Sequence, residues 1–238
     1  MHDRRDPTIG LPPRIQPPQS EEELEERARR LSGCTLGAVA REHFMVVPEN
    51  TSRSKGWAGQ LLERALGATA GSKPVPDFEK IDVEMKSLPV DRTGMPLEST
   101  YVCKVPHMET GATPWRESWA CHKLARVLWV PILGERQISI GDRMIGTPFL
   151  WSPSREEEEI LQADWNLLQD WILQGKIGGI TGSMGSALHI RPKAGSSSEK
   201  KWMLGEDGEW IKENPRGYYL RASFTHGILA RRLALPGR

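Results

Sequence analysis

Between residues 80 and 140 the sequence sets four short β-branched or aromatic segments in succession, at about 80–88, 98–105, 125–133 and 137–140. Each is broken by Pro or Gly, and no long amphipathic helix separates them. Strands that follow so closely fit a mixed sheet better than regular βαβ alternation. Helical patterns lie on either side. Ser20 with Glu23 forms a capping box ahead of the stripe Leu24, Ala28 and Leu31, which Gly33 closes; a short helix follows at about 35–44. Trp57, Leu61, Leu62, Ala65 and Leu66 make a stripe within 55–67. Ser154 with Glu157 opens the longest amphipathic stretch, through Ile160, Leu161, Trp165, Leu168 and Ile172 to Gly175. Strands at about 176–181 and 187–192, joined by "GSMGS", read as a hairpin. "KAGSSSEKK" reads as a polar loop, "GYYLRASF" as a strand, and Ser223 as the start of a last helix. The expected class is α/β, a mixed β-sheet flanked by helices.

Composition narrows the function classes. The 238 residues are 38% hydrophobic and 26% charged, within the soluble globular range. A net charge of +1 gives no global pull on a polyanion, but Arg216, Arg221, Arg231, Arg232 and Arg238 follow residue 215 without an acid among them, while acids gather at Glu21–Glu26 and Glu156–Glu159. Cys34, Cys103 and Cys121 form no disulfide framework or zinc spacing, and the six His are scattered. No run approaches 18 apolar residues and the first residues lack a signal-peptide core, so a soluble cytoplasmic protein is expected. Residues 1–19 hold five of the 18 prolines and read as a flexible tail, with the fold starting at residue 20.

The chemistry concentrates in "IDVEMK". Ile81, Val83 and Met85 alternate with Asp82, Glu84 and Lys86, so a strand here buries the odd residues and points the even ones the other way. Glu84 and Lys86 then lie roughly 6 to 7 Å apart at the backbone on one face. Asp77, seven residues upstream of Glu84, can fold back as a second carboxylate, and Glu63 on the preceding helix can supply a third. Hard oxygen ligands beside a lysine suit Mg²⁺-assisted phosphodiester hydrolysis: the carboxylates hold the ion, and the lysine orients the attacking water or stabilises phosphoryl charge. The same pattern also fits a solvated strand face. A second Glu-x-Lys, Glu199 and Lys201, lacks the upstream acid and reads as loop.

With those residues in place, "KGWAGQLLERALGATAGSKPVPDFEKIDVEMKSLPV" closely resembles a block of the MutH family, the strand-nicking endonucleases of methyl-directed DNA mismatch repair. "LESTYVC", "HKLARVLWVPI", "GTPFLWSP", "IRPKA" and "RGYYLRASFT" resemble later family blocks in the same order, over about residues 20–234. The resemblance implies a restriction-endonuclease-like fold, one domain over 20–234 in two arms around a DNA-binding cleft, roughly 20–108 catalytic and 109–234 for DNA recognition. It implies Mg²⁺-dependent nicking of the unmethylated strand of hemimethylated GATC, leaving a 5′-phosphate, by a monomer that MutL activates after MutS finds a mismatch. Asp77, Glu84 and Glu63 match the metal-binding carboxylates and Lys86 the catalytic lysine.

The same resemblance extends to DNA contacts. Lys55 and Gly56 match a loop that approaches the duplex, Tyr101 an aromatic that inserts beside the bases, and Lys123 a basic residue near the backbone. Arg191 and Pro192 match the loop that reads the recognition sequence, and Tyr219 the residue that senses the adenine-methyl position. Arginine makes bidentate contacts to guanine and an aromatic ring can wedge a base step, so these residue types suit those roles. The stretch "AGSSSEKKWMLGEDGEWIKEN" departs from the family. Two other functions remain open at this point: an autonomous GATC-type restriction endonuclease, and a methylation-sensing DNA-binding module without cleavage.

Overall fold

The computed structural model describes residues 15–49, 56–71, 73, 75–105, 113–193, 201–204 and 209–233. It divides into two compact units. The first comprises 1–89 with 128–150, the second 90–127 with 151–238, so the chain crosses at 89/90, 127/128 and 150/151. The single boundary near 108 expected from the sequence is not one of these crossings.

In the first unit, α1 (Glu21–Arg30) starts where the Ser20 hydroxyl accepts from the Glu23 N–H. Glu23 returns its carboxylate to the Gln19 N–H at 2.8 Å, one residue before the N-cap. Acids at 21–23 and Arg27, Arg29 and Arg30 in the last turn complement the helix dipole. α2 (Leu36–Glu42) is capped by Thr35, and α3 (Trp57–Leu66) runs between two left-handed glycines, Gly56 and Gly67. Gly67 has no substitute: a Cβ there would stand 2.7 Å from the Gln16 carbonyl oxygen. The apolar stripes of these helices, including Leu24, Leu36, Leu61, Leu62 and Leu66, join Phe78, Val83, Met85, Leu128 and Val130 in one core. The sheet beneath them runs in the order β1 (Glu84–Val90), β3 (Val127–Leu133), β4 (Phe149–Trp151).

The second unit holds an antiparallel sheet, β2 (Thr100–Lys104), β8 (Arg216–Leu220), β5 (Leu188–Pro192), with β8 central and a bulge in β2 between Tyr101 and Cys103. α4 (Trp119–Ala125), α5 (Arg155–Leu173) and α6 (Ala222–Leu233) complete it, with the hairpin β6 (Lys201–Leu204) and β7 (Trp210–Glu213). α5 has a full capping box: Ser154 Oγ accepts from the Glu157 N–H at 3.2 Å and Glu157 accepts from the Ser154 N–H at 2.8 Å. Its inner face packs Trp165 against Tyr218, ring centroids 4.7 Å apart, while Gln169 donates to the Tyr218 hydroxyl.

The expected α/β class is thus present, as separate small sheets flanked by helices, with three local corrections. Residues 137–140 do not form a strand; Ile140–Asp142 is a 3-10 turn, closed by the Ser139 hydroxyl on Asp142 at 2.6 Å, and Ile140 alone enters the core. Residues 176–181 are not half of a hairpin. Lys176–Gly179 is another 3-10 turn, and β5 pairs with β8 because the segment before it is bonded to side chains instead of a ladder. Lys201 opens β6 where the sequence read as loop, since Trp202 and its neighbours find cross-strand partners eight and more residues later; Glu199 lies outside the described residues.

Candidate active site and nucleic-acid face

The spacing of Asp77 and Glu84 follows from one turn. Phe78 and Val83 form an antiparallel bridge, with Phe78 N–H donating to the Val83 carbonyl at 2.9 Å. Asp82, at φ 51, reverses the chain inside it and leaves the strand face it was expected to share. Residues one step outside such a bridge stand opposite one another, and these are Asp77 and Glu84. Six intervening residues therefore place two carboxylates side by side. Asp77 is locked there because Oδ2 accepts from the Met85 N–H at 2.9 Å.

The next same-face residue is Lys86, whose Nζ donates to Glu84 Oε1 at 3.0 Å. The alternation expected for this strand is only half realised. Val83 and Met85 enter the core, but Glu84 at 3% and Lys86 at 7% exposure are enclosed as well, and Asp77 is 9% exposed. A solvated surface pair has no such burial. Two opposite charges out of water at hydrogen-bond distance compensate one another, and removing either leaves an uncompensated buried charge. Glu63 approaches from α3: the Cβ that Gly59 lacks would stand 3.9 Å from Glu63 Oε1 and 3.9 Å from Ser87 Oγ, so this side of the helix faces β1.

Oxygen donors of this kind suit a hard divalent cation. Among the described residues no group of three or more His, Cys, Asp or Glu stands close enough to hold an ion. Mg²⁺ does not need one, because it is commonly held by one or two carboxylates together with water and substrate phosphate. Asp77 and Glu84 fit that demand, with Glu63 on the adjacent helix.

In the second unit the sheet presents one row of side chains: register places Tyr101 opposite Tyr219 and Tyr219 opposite His189. Tyr101 and Tyr219 meet edge to face at 5.4 Å. Gly217 makes room for this row, since a Cβ there would lie 2.8 Å from the Tyr101 ring. Lys193 Nζ sits 5.0 Å from the centre of the same ring. Arg191 and Pro192 are exposed at the end of β5, and Arg191 forms no ion pair among the described residues. Burial pushes the Tyr219 hydroxyl above the usual phenol range, with Arg191 pulling it down and Glu98 pushing it up, so it is a hydrogen-bond donor at neutral pH. Lys123 lies on α4, its Nζ 5.5 Å over the Trp119 ring. Gly56 is the left-handed N-cap of α3, and Lys55 lies outside the described residues.

Sequence reasoning missed the supports of β5. Asp164 on α5 accepts from the N–H groups of Ser186, Ala187 and Leu188 at 2.6–2.9 Å. Arg221 donates to the carbonyls of Gly182, Met184 and Gly185. An acid on the apolar face of α5 was the available signal, because Asp164 lies three residues after Leu161 and four before Leu168.

Comparison with known proteins adds an independent observation. Residues 66–164 match the family model described as DNA mismatch repair enzyme MutH. The chain is 48% identical over 221 residues to the DNA mismatch repair protein MutH of Serratia proteamaculans, covering 93% of this chain and 96% of that protein. It is 46% identical over 215 residues to the protein of that name from Shewanella sp. strain ANA-3, covering 90% and 96%, and 47% identical over 216 residues to that of Shewanella baltica, covering 91% and 97%.

Proposed function

Because this chain belongs to the MutH family of DNA mismatch repair enzymes, we propose that it is a Mg²⁺-dependent DNA endonuclease that nicks the unmethylated strand at hemimethylated GATC. The observation that carries the hydrolytic part is the pairing of Asp77 with Glu84 across the Phe78–Val83 bridge, with Lys86 held on Glu84.

Asp77 and Glu84, with Glu63, would hold the ion, which when bound polarises the scissile phosphate. The chain's own residues do the rest. Lys86 keeps an ammonium donor at Nζ beside the carboxylate pair, where it orients water for in-line attack and stabilises charge that builds on the phosphate oxygens. Attack at phosphorus forms the new P–O bond as the bond to the 3′ oxygen breaks, giving a 5′-phosphate and a 3′-hydroxyl. A monomer has one such cluster, so a single strand is cut.

On the sheet of the second unit, Arg191 with Pro192 reads guanine edges and Tyr219 senses the adenine-methyl position. Tyr101, Lys123, Lys55 and Gly56 contribute contacts to the duplex. MutL is the activator and MutS acts through it. The work is done in the cytoplasm, and no helix among the described residues is long and apolar enough to cross a membrane.

The test is nicking of unmethylated, hemimethylated and fully methylated GATC duplexes with Mg²⁺, with and without MutL. Expected is a single nick in the unmethylated strand, strongest with MutL, and none in the fully methylated duplex. Full-rate cutting of both strands without MutL points to an autonomous restriction enzyme, and binding without cutting to a non-catalytic module; either outcome rejects the proposal.

A further inference from the structure

The hydrolytic chemistry leaves one buried polar side chain of β5 without a role. His189 is 4% exposed and stands opposite Tyr219 in the sheet. Both of its ring nitrogens are engaged: Nδ1 lies 3.2 Å from the Gly182 carbonyl oxygen and Nε2 lies 3.1 Å from Ser99 Oγ. A carbonyl oxygen only accepts, so Nδ1 carries the proton and, in the neutral ring, Nε2 accepts from the Ser99 hydroxyl. The imidazole is therefore a strut between the Gly182 segment and the residue that precedes β2. The Gly182 end is firm, because Arg221 also donates to that carbonyl and Asp164 holds the three N–H groups that lead into β5.

Tyr219 lies between two rings. His189 meets it edge-on, centroids 6.3 Å apart at 82°, and Tyr101 meets it at 5.4 Å and 68°. We propose that His189 is a positioning residue for methylation-state recognition: bridged between Gly182 and Ser99, it fixes the Tyr219 ring in the orientation that tells an unmethylated adenine from a methylated one. The inference rests on the reading of Tyr219 given above. The surrounding charges support a neutral strut. Burial holds the imidazole below its ordinary value against the pull of the Gly182 carbonyl; Arg221 and Arg191 lower it further and Asp164 opposes them. Protonation turns Nε2 into a donor and adds a third positive charge beside the two arginines.

The experiment uses the full chain as wild type, His189→Ala, His189→Gln, Ser99→Ala and Tyr219→Ala. Fluorescence anisotropy without added metal gives the dissociation constants for two GATC duplexes that differ only in adenine methylation, and nicking with Mg²⁺ and MutL gives kcat and KM. His189→Ala is expected to lower the preference between duplexes about fivefold, the size of one net hydrogen bond lost from the strut, with kcat within about twofold of wild type. His189→Gln, which offers an N–H to Gly182 and an oxygen to Ser99, restores the preference. Ser99→Ala lowers it partway, and decides the matter if His189→Ala fails to fold. Unchanged preference in both His189→Ala and Ser99→Ala, or a Gln variant no better than Ala at equal melting temperature, overturns the role of His189 alone. Preference that survives Tyr219→Ala overturns the reading of Tyr219 as well.

Discussion

At Lys86 the identity of the charge and its reach are both constrained. Lys86→Met leaves Glu84 buried without its ammonium and is expected to lower stability by about 3 kcal/mol and abolish nicking, read by urea unfolding and a plasmid relaxation assay. Glu84→Gln keeps the shape but takes the charge from the Lys86 ammonium's partner, so loss of nicking with a destabilisation comparable to that of Lys86→Met is the expected result, and retained activity sinks the assignment. His189 gives a pH dependence whose sign is fixed. Its folded pKa is lowered, chiefly by burial, so the fold favours the neutral base. That contribution is fully present above the unfolded value of about 6.5 and is lost as pH falls through the folded one. Between pH 7.5 and 5.5 wild type should therefore lose more stability than His189→Gln, as equilibrium unfolding would show. The Glu84–Lys86 pairing was legible in sequence because alternation reports directly on one strand. His189, Asp164 and Arg221 were not, because their partners lie up to 90 residues away and no local pattern encodes them.

Elements were read best where their ends carry their own chemistry. Ser154 and Glu157 fixed the start of α5 and Gly175 its end, and the helix occupies Arg155–Leu173. Ser154→Ala should cost about 1 kcal/mol, the usual value of an N-cap, whereas Glu157→Ala should cost more in the same urea titration. Glu157 also accepts from Trp151 Nε1 at 3.2 Å and contacts Arg231, so it ties α5 to Trp151 and to α6. Short apolar runs were read less well. Around 137–140 and 176–181 alternation alone could not separate a strand from a 3-10 turn, since a turn that buries a single Ile satisfies the same pattern. What decided each case was tertiary: the approach of Gly141 to Gly37, where a Cβ would meet backbone at 2.9 Å, and the capture of the segment before β5 by Arg221.

For the whole molecule, the sheet under the carboxylates is not a continuous piece of chain. β1 is paired with β3, and β3 with β4, but residues 91–126 separate the first two strands and belong to the other unit. A fragment ending at residue 108 carries Glu63, Asp77, Glu84 and Lys86 yet lacks β3 and β4. It is expected to show no cooperative thermal transition by circular dichroism, whereas the full chain should show one. A sequence read from left to right gives no sign of this interleaving, because pairing between distant strands leaves no local trace. The same order of strands has a meaning in time. As the chain leaves the ribosome, all four residues of the proposed hydrolytic cluster emerge first, but the strands that hold β1 in place are complete only after residue 151. A nascent chain thus carries the residues proposed for hydrolysis well before it has a sheet on which to align them.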